Sequence, residues 1–232
     1  GGSYADKVLA KAVLAYPVPD GLPDEAVSGL TALVTAYNTL TWAGRLQQNE
    51  TVLVHAAAGG VGSLAVQMAR ALGAGLVIGT VGHPAKTEFA QRLGADEVMG
   101  YEGFAERVLE LTQQKGADLI LDSVAGEVFN QGMRCLAPFG RMVVYGHASG
   151  QAGNFETRPL HRQSKAVIGY SSGHYRRSQT ERLRPTVEAV FALLQSGQVR
   201  LEVGARFRLE EAAKAHALME SRQSIGKILL YP

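Results

Sequence analysis

Thr51-Val-Leu-Val-His55-Ala-Ala-Ala-Gly59-Gly60-Val61-Gly62-Ser63-Leu-Ala-Val-Gln67-Met-Ala69 passes from an apolar, β-branched run through closely spaced glycines into a helical pattern that continues to Leu72. Apart from a protonated His55, no residue in this stretch carries a formal charge. Its length is that of a membrane span, but Gly59, Gly60, Gly62, His55, Ser63 and Gln67 sit inside it, so a buried strand, a turn and a helix account for it better. Glycines at such a turn let the chain reverse tightly and bring backbone N–H groups close to a pyrophosphate at the helix N-terminus. Tight strand–helix turns also arise for steric reasons alone. Here the order of strand, glycine turn and helix, more than the glycines themselves, points to a dinucleotide.

Working outward, Leu76–Val81 reads as a second strand, followed by a helix from Pro84 to Leu93. Proline suits the first turn of a helix, where its missing N–H costs little. A short strand at Glu97–Met99 precedes a helix from Phe104 to Gln114; Asp118–Asp122, Arg141–Tyr145 and Ala166–Tyr170 read as further strands. Strands that are apolar throughout and separated by helices require a parallel sheet covered on both faces. The expected fold is therefore α/β, a doubly wound parallel sheet of Rossmann type.

The two ends follow another pattern. Ser3-Tyr-Ala-Asp-Lys-Val-Leu9 reads as a strand, and Pro17-Val-Pro-Asp-Gly-Leu-Pro23 as a proline-punctuated loop. After a helix at 181–195 the tail runs Val203–Leu209, helix Glu210–Glu220 and strand Lys227–Tyr231. Neither end makes a self-sufficient core, so both are expected to be pieces of one domain split by the nucleotide fold: residues 1–30, then 31–173 for the nucleotide domain, then 174–232 returning.

The 232 residues are 46% hydrophobic and 19% charged, a balance typical of a soluble globular protein. A net charge of +2 is too small to imply nucleic acid or an anionic membrane as the main partner. Basic residues nevertheless gather at 158–184, with six Arg and one Lys against Glu181; a solvated face or dimer rim is the plain explanation. Cys135 is the single cysteine, which forbids intrachain disulfides and points to a reducing, cytoplasmic setting. One cysteine also cannot furnish a structural zinc site. His55 is expected to be a hydrogen-bonded core residue, and His147, His161 and His174 show no paired carboxylate in sequence.

An NAD site carries an acid about 20 residues beyond the first glycine, bonded to the ribose 2′-hydroxyl. That region here is Gly79-Thr-Val-Gly82-His-Pro-Ala-Lys86, with a lysine and no acid, which favours NADPH.

Ala56–Gly62 with Gln67–Ala74, Gly79–Lys86, Gly94-Ala-Asp96, Asp122-Ser-Val-Ala-Gly126, Gly146-His-Ala-Ser-Gly150 and Gly226-Lys-Ile-Leu-Leu230 together resemble the zinc-free quinone oxidoreductase branch of the medium-chain dehydrogenase/reductase superfamily. The resemblance spans essentially the entire chain. It implies a dimeric, zinc-independent reductase that transfers hydride from NADPH to a quinone or an activated enone. It also implies an N-terminal barrel-like (GroES-like) catalytic domain, of which residue 1 matches a late point and to which the C-terminal strands return. Carried over by position, Gly59, Gly60, Val61 and Gly62 hold the pyrophosphate, and Thr35 lies near the nicotinamide ribose. Gly82, Lys86 and Tyr101 form the 2′-phosphate pocket. Ser123 and Gly146 line the adenine and nicotinamide sides, and Lys227 reaches the cofactor.

Each of these side chains also has a purely structural role open to it. Lys86 suits a solvated helix surface, Tyr101 a cap on the third strand, Thr35 helix capping or packing, Ser123 a turn, and Lys227 a strand edge. Two other activities stand beside the quinone reductase: an enoyl-thioester reductase of the same superfamily, and a non-catalytic nucleotide- or RNA-binding relative.

Overall fold

Val52, Leu53 and Val54 present apolar side chains to both faces of their strand, and all are fully buried in a computed structural model that describes residues 4–5 and 7–232. In chain order the elements are α1 (Asp24–Ser28), α2 (Leu30–Asn38), β1 (Thr51–Val54), α3 (Gly62–Ala71), β2 (Leu76–Thr80), α4 (Thr87–Arg92) and β3 (Glu97–Met99). Then come α5 (Phe104–Leu111), β4 (Ala117–Asp122), α6 (Gly126–Cys135), β5 (Leu136–Val144), α7 (Thr157–Gln163) and β6 (Ala166–Gly169). The chain closes with α8 (Ser172–Ser178), α9 (Leu183–Gln195), β7 (Val203–Arg208), α10 (Ala212–Glu220) and β8 (Lys227–Tyr231).

The first six strands form one sheet in the order β3-β2-β1-β4-β5-β6, with every neighbouring pair parallel. The order grows outward from β1 to β3, then restarts on the other side of β1 with β4. Strand order reverses between β1 and β4, and ligands of such sheets bind in the crevice that this reversal opens at the strands' carboxyl ends. Period-two alternation sorts the side chains: Val52, Val54, Leu119 and Leu121 pack in the cluster that takes in α2, α3 and α9, while Leu53, Ile120 and Met142 meet α5 and α6 through Phe104, Val108 and Phe129.

At the opposite, amino edge of the sheet, Arg141 on β5 uses all five of its N–H donors. Nε donates to the Gly44 carbonyl at 2.8 Å; Nη1 donates to Glu50 Oε1 (2.7 Å) and the Asp118 carbonyl (3.1 Å); Nη2 donates to Glu50 Oε2 (2.7 Å) and the Arg45 carbonyl (3.2 Å). This buried, bidentate pair fastens the loop ahead of β1 to the middle of the sheet.

β7, α10 and β8 form a separate parallel βαβ unit. It meets the N-terminal segment through Glu25, which receives two 2.7 Å hydrogen bonds from Arg206 and one from the Tyr231 hydroxyl. α9 falls within the stretch expected to return to the catalytic domain, yet Val187, Val190 and Phe191 bury it in the main core. The strand expected at 3–9 is not seen among the described residues, and residues 7–23 hold no strand, only a 3-10 turn at Ala12–Leu14 and a turn at Asp20–Gly21; Ser3 and Asp6 lie outside the described residues. Neither sheet offers those residues a neighbouring strand, and an isolated strand leaves its N–H and C=O groups unpaired.

Candidate cofactor site

The glycines of the β1–α3 turn have different jobs. A Cβ on Gly62 would fall 2.1 Å from the Ala56 carbonyl oxygen, so only glycine lets α3 start this close to the end of β1. At Gly60 a Cβ would make only ordinary contacts, 3.5 Å from the Gly226 oxygen and 3.8 Å from Lys227 Cδ. Nothing inside the protein demands glycine there, and its small size leaves the turn's backbone open to an approaching group. Val61 directly precedes α3, whose N-terminal N–H groups lack the acceptors of a preceding turn, apart from Ser63 N–H, which donates to the Gly59 carbonyl at 2.9 Å. The turn as built therefore fits a pyrophosphate.

The C-terminal chain covers one side of this turn. Gly226 N–H donates to the Ala58 carbonyl at 2.8 Å, and Lys227 N–H to the Glu202 carbonyl at 2.8 Å. Lys227, Gly226 and Gly60 line a common cavity of about 330 Å³. Lys227 is thereby brought beside the glycine turn.

Beyond β2, Gly82 leaves open space, its nearest neighbour being the Tyr101 ring at 3.9 Å from a built Cβ. Lys86 is half-buried. Its ammonium donates 2.7 Å hydrogen bonds to the carbonyls of Arg222 and Ser224, and burial lowers its pKa. Arg222, which Lys86 thus holds by its backbone, donates from Nη2 to the Ala148 carbonyl at 3.3 Å and lies close enough to act electrostatically on Tyr101. Lys86, Arg222 and Tyr101 therefore share one corner. Sequence reasoning missed Arg222, because the contact that brings it there joins residues 136 positions apart. The only local sign was a cation four residues ahead of Gly226.

Tyr101 turns its hydroxyl inward. It accepts a hydrogen bond from Ala56 N–H at 3.1 Å and lies beside Thr80, and desolvation raises its pKa. Thr80 Oγ1 pairs with His55 Nδ1 at 2.8 Å. His55 is fully buried, and desolvation lowers its pKa despite the Asp122 carboxylate on the next strand, so it stays a neutral core histidine.

Asp122 supports the second rim of the crevice. Its Oδ1 accepts from Val124 N–H (2.7 Å) and Ala125 N–H (3.0 Å). Those bonds hold Ala125 at φ 62°, ψ −160°, a conformation almost reserved for glycine. Ser123 sits in this turn beside Tyr145, a buried phenol whose pKa burial pushes up to about 12. A Cβ on Gly146 would fall 2.8 Å from the Ser123 oxygen, so the loops after β4 and β5 are pressed together there. Gly146 opens with Ala125, Tyr145, Gly153, Tyr170 and Ser171 onto a cleft of about 640 Å³. Thr35 is not among that cleft's lining residues; it is buried in α2, its hydroxyl donating to the Thr31 carbonyl at 2.7 Å.

Among the described residues no cluster of three or more His, Cys, Asp or Glu is placed to hold a metal, and no helix is long and apolar enough to cross a membrane. Two of the basic residues gathered at 158–184 are tied inward, Arg176 to the Thr31 hydroxyl and Arg184 over the Tyr16 ring.

A family model described as zinc-binding dehydrogenase matches residues 60–192. A quinone oxidoreductase from Pseudomonas aeruginosa is 36% identical over 236 residues, covering all of this chain and 72% of that protein. A 2-haloacrylate reductase from a Burkholderia species is 35% identical over 238 residues, again covering the whole chain and 71% of that protein. The crystal structure of Escherichia coli quinone oxidoreductase complexed with NADPH superimposes with a TM-score of 0.87 at 33% identity, over 95% of this chain and 69% of that one.

Proposed function

This chain belongs to the quinone oxidoreductase branch of the medium-chain dehydrogenase/reductase superfamily, and on that footing we propose that it binds NADPH and reduces a quinone or an activated enone. When bound, NADPH supplies the hydride from its nicotinamide ring. The chain's own residues bind and orient. The backbone of Gly59–Gly62 receives the pyrophosphate, with Lys227 beside it. Lys86 and Arg222 present two cations to the 2′-phosphate where Gly82 leaves room. Ser123 lines the adenine side of the crevice, and the loop at Gly146 flanks the cleft that takes the nicotinamide end. Thr35 serves the ribose side in this reading, because its hydroxyl oxygen, whose proton goes to the Thr31 carbonyl, retains acceptor capacity.

A single observation carries the choice of cofactor: Lys86, with Arg222 drawn beside it, stands where an NAD site carries a carboxylate. Calorimetric titration of the two nucleotides tests it, and preference for NADH would refute it. The acceptor class is supported by the relatives named above, one a quinone reductase and the other acting on a haloacrylate, an activated alkene. Steady-state oxidation of NADPH in the presence of quinones, enones and enoyl thioesters sorts these acceptors, and turnover of enoyl thioesters alone would displace the quinone and enone reading.

Two further proposals rest on the same footing. Residues 1–30 and 174–232 are the catalytic-side pieces that the nucleotide domain, 31–173, divides; the hydrogen bonds of Glu25 to Arg206 and Tyr231 support that reading. β6, at the edge of the sheet, pairs with a second copy, because an exposed strand edge is a template for pairing. Sedimentation at micromolar concentration reads the second directly, and a monomer would refute it.

A further inference from the structure

Asn38 closes α2 at 1% exposure, in a stretch where Leu33, Val34 and Leu40 are buried too. An amide in such surroundings is costly unless it is hydrogen-bonded, and both of its ends are used. Nδ2 donates to the Tyr170 hydroxyl at 3.1 Å, and Oδ1 accepts from the Thr186 hydroxyl at 3.1 Å. Side chains from α2, α9 and the end of β6 are thereby tied together. Apolar residues could fill the same space, whereas a satisfied polar chain fixes one arrangement of it. The residue so fixed is Tyr170. Its N–H donates to the Val144 carbonyl at 2.8 Å, and its ring lies 6.1 Å from that of Trp42 and 5.8 Å from that of Tyr175. Three hollows surround it: the cleft of about 640 Å³ at Gly146, a cavity of about 550 Å³ beside Trp42 and Arg182, and one of about 110 Å³ between Tyr16, Leu30 and Val187. Tyr170 lines all three, although it is only 5% exposed.

We propose that Tyr170 is a specificity-determining residue: its fastened side chain partitions the cleft from the two side cavities, so that compact single-ring acceptors fit beside the nicotinamide and fused-ring acceptors are disfavoured. Asn38 and Thr186 are the positioning residues that hold the partition. The inference rests on the reductase reading above and adds to it the size of acceptor that the cleft admits.

Benzoquinone and naphthoquinone differ by one fused ring, and the ratio of their kcat/KM values at saturating NADPH, compared between variants, cancels their intrinsic difference in reactivity. Tyr170→Leu shortens the side chain but keeps it apolar. It should raise the naphthoquinone-to-benzoquinone ratio by about tenfold, chiefly through KM, while NADPH affinity measured by calorimetry stays within about twofold of the wild type. Tyr170→Phe and Asn38→Leu remove the same hydrogen bond and leave the ring, so each should raise the ratio by about threefold and the double variant no further. An unchanged ratio in Tyr170→Leu would overturn the proposal. So would a loss of NADPH affinity as large as the change in ratio, because the side chain would then serve the cofactor. Should Tyr170→Leu fail to fold, the two variants that keep the ring decide, and unchanged ratios in both overturn the proposal. A wild type that oxidises NADPH with neither quinone would instead refute the reductase reading. Trp42, the single tryptophan, then reports binding directly, since a quinone in the cavity beside Tyr170 quenches its emission. Quenching at lower naphthoquinone concentration in Tyr170→Leu than in the wild type supports the partition, and equal quenching overturns it.

Discussion

Replacing Lys86 with methionine separates two functions that one ammonium performs. Methionine keeps most of the stem and the packing around it but removes all three N–H donors. Two of those donors hold the Arg222 and Ser224 carbonyls at 2.7 Å, and the third is left for a phosphate oxygen. A charge-assisted hydrogen bond is worth about 1.5–3 kcal/mol, and each 1.4 kcal/mol is a factor of about ten. NADPH binding should therefore weaken by about 10- to 150-fold. Releasing the Arg222–Ser224 segment affects both nucleotides, but those carbonyls lie near solvent, where water replaces the lost donors, so NADH should lose less than about fivefold. The NADPH-to-NADH affinity ratio falls accordingly. Calorimetric titration of both nucleotides into wild type and variant, at one fixed ionic strength because exposed charges are screened by salt, reads the ratio. Equal losses would show that Lys86 only fastens the C-terminal segment, and the phosphate contact would have to be given to Arg222 alone.

Other consequences are simpler. Arg141→Met leaves Glu50 and three carbonyls without their donor; breaking one side of a buried pair costs about 3–5 kcal/mol, so Tm should drop by roughly 6–20 °C in a thermal scan, and a drop under about 3 °C would mean the pair behaves as a surface one. Ala125→Gly relieves a conformation that costs alanine about 1–3 kcal/mol, so Tm should rise by roughly 2–12 °C; a fall would show that the Asp122 bonds do not impose that strain. Glu25 is held at about 2 against an ordinary 4.5, first by the Arg206 guanidinium and then by Tyr231. A depressed carboxylate pKa contributes stability that is complete above about pH 4.5 and is lost as pH falls toward 2. Protection of the β7–β8 amides should weaken across that window in the wild type and stay flat in Glu25→Gln.

The parallel sheet was legible because its evidence is periodic and local: apolar runs at Thr51, Leu76, Asp118, Arg141 and Ala166 each recur as strands within a few residues of where sequence places them. β5 begins earlier than expected, at Leu136, because Leu136 pairs with Ala117 at the start of β4, ahead of a register shift that no alternation pattern announces. The glycine turn was legible as a motif, though sequence could not say which glycine serves packing and which serves a ligand; that takes the distances at Gly60 and Gly62. Tyr101 and Arg222 were harder for a common reason. What each does depends on a contact with residues far off in the chain, Ala56 in one case and Lys86 in the other, and the residue type alone fits both a ligand and a brace.

The C-terminal strands, the least regular part of the sequence, bear directly on the cofactor. Gly226 has φ +56° and a Cβ there would fall 2.3 Å from the Glu202 oxygen, so both its conformation and its close approach require glycine, and Gly204 lacks space for a Cβ at 1.8 Å from the Ile225 oxygen. These close approaches lock the segment before β8 against β7. The same segment donates from Gly226 to Ala58 in the glycine turn and offers its Arg222 and Ser224 carbonyls to Lys86 beyond β2. The floor of the nucleotide site is thus shared between the six-stranded sheet and the small βαβ unit, which is in turn anchored to the N-terminal segment through Glu25. A ligand that fills the turn and contacts Lys86 must favour the docked arrangement of that unit, since binding stabilises whichever conformation makes its contacts. On the proposed site, cofactor binding and the docking of the βαβ unit should for that reason be one equilibrium, set by the few hydrogen bonds between residues 222 and 227 and the turns they cover.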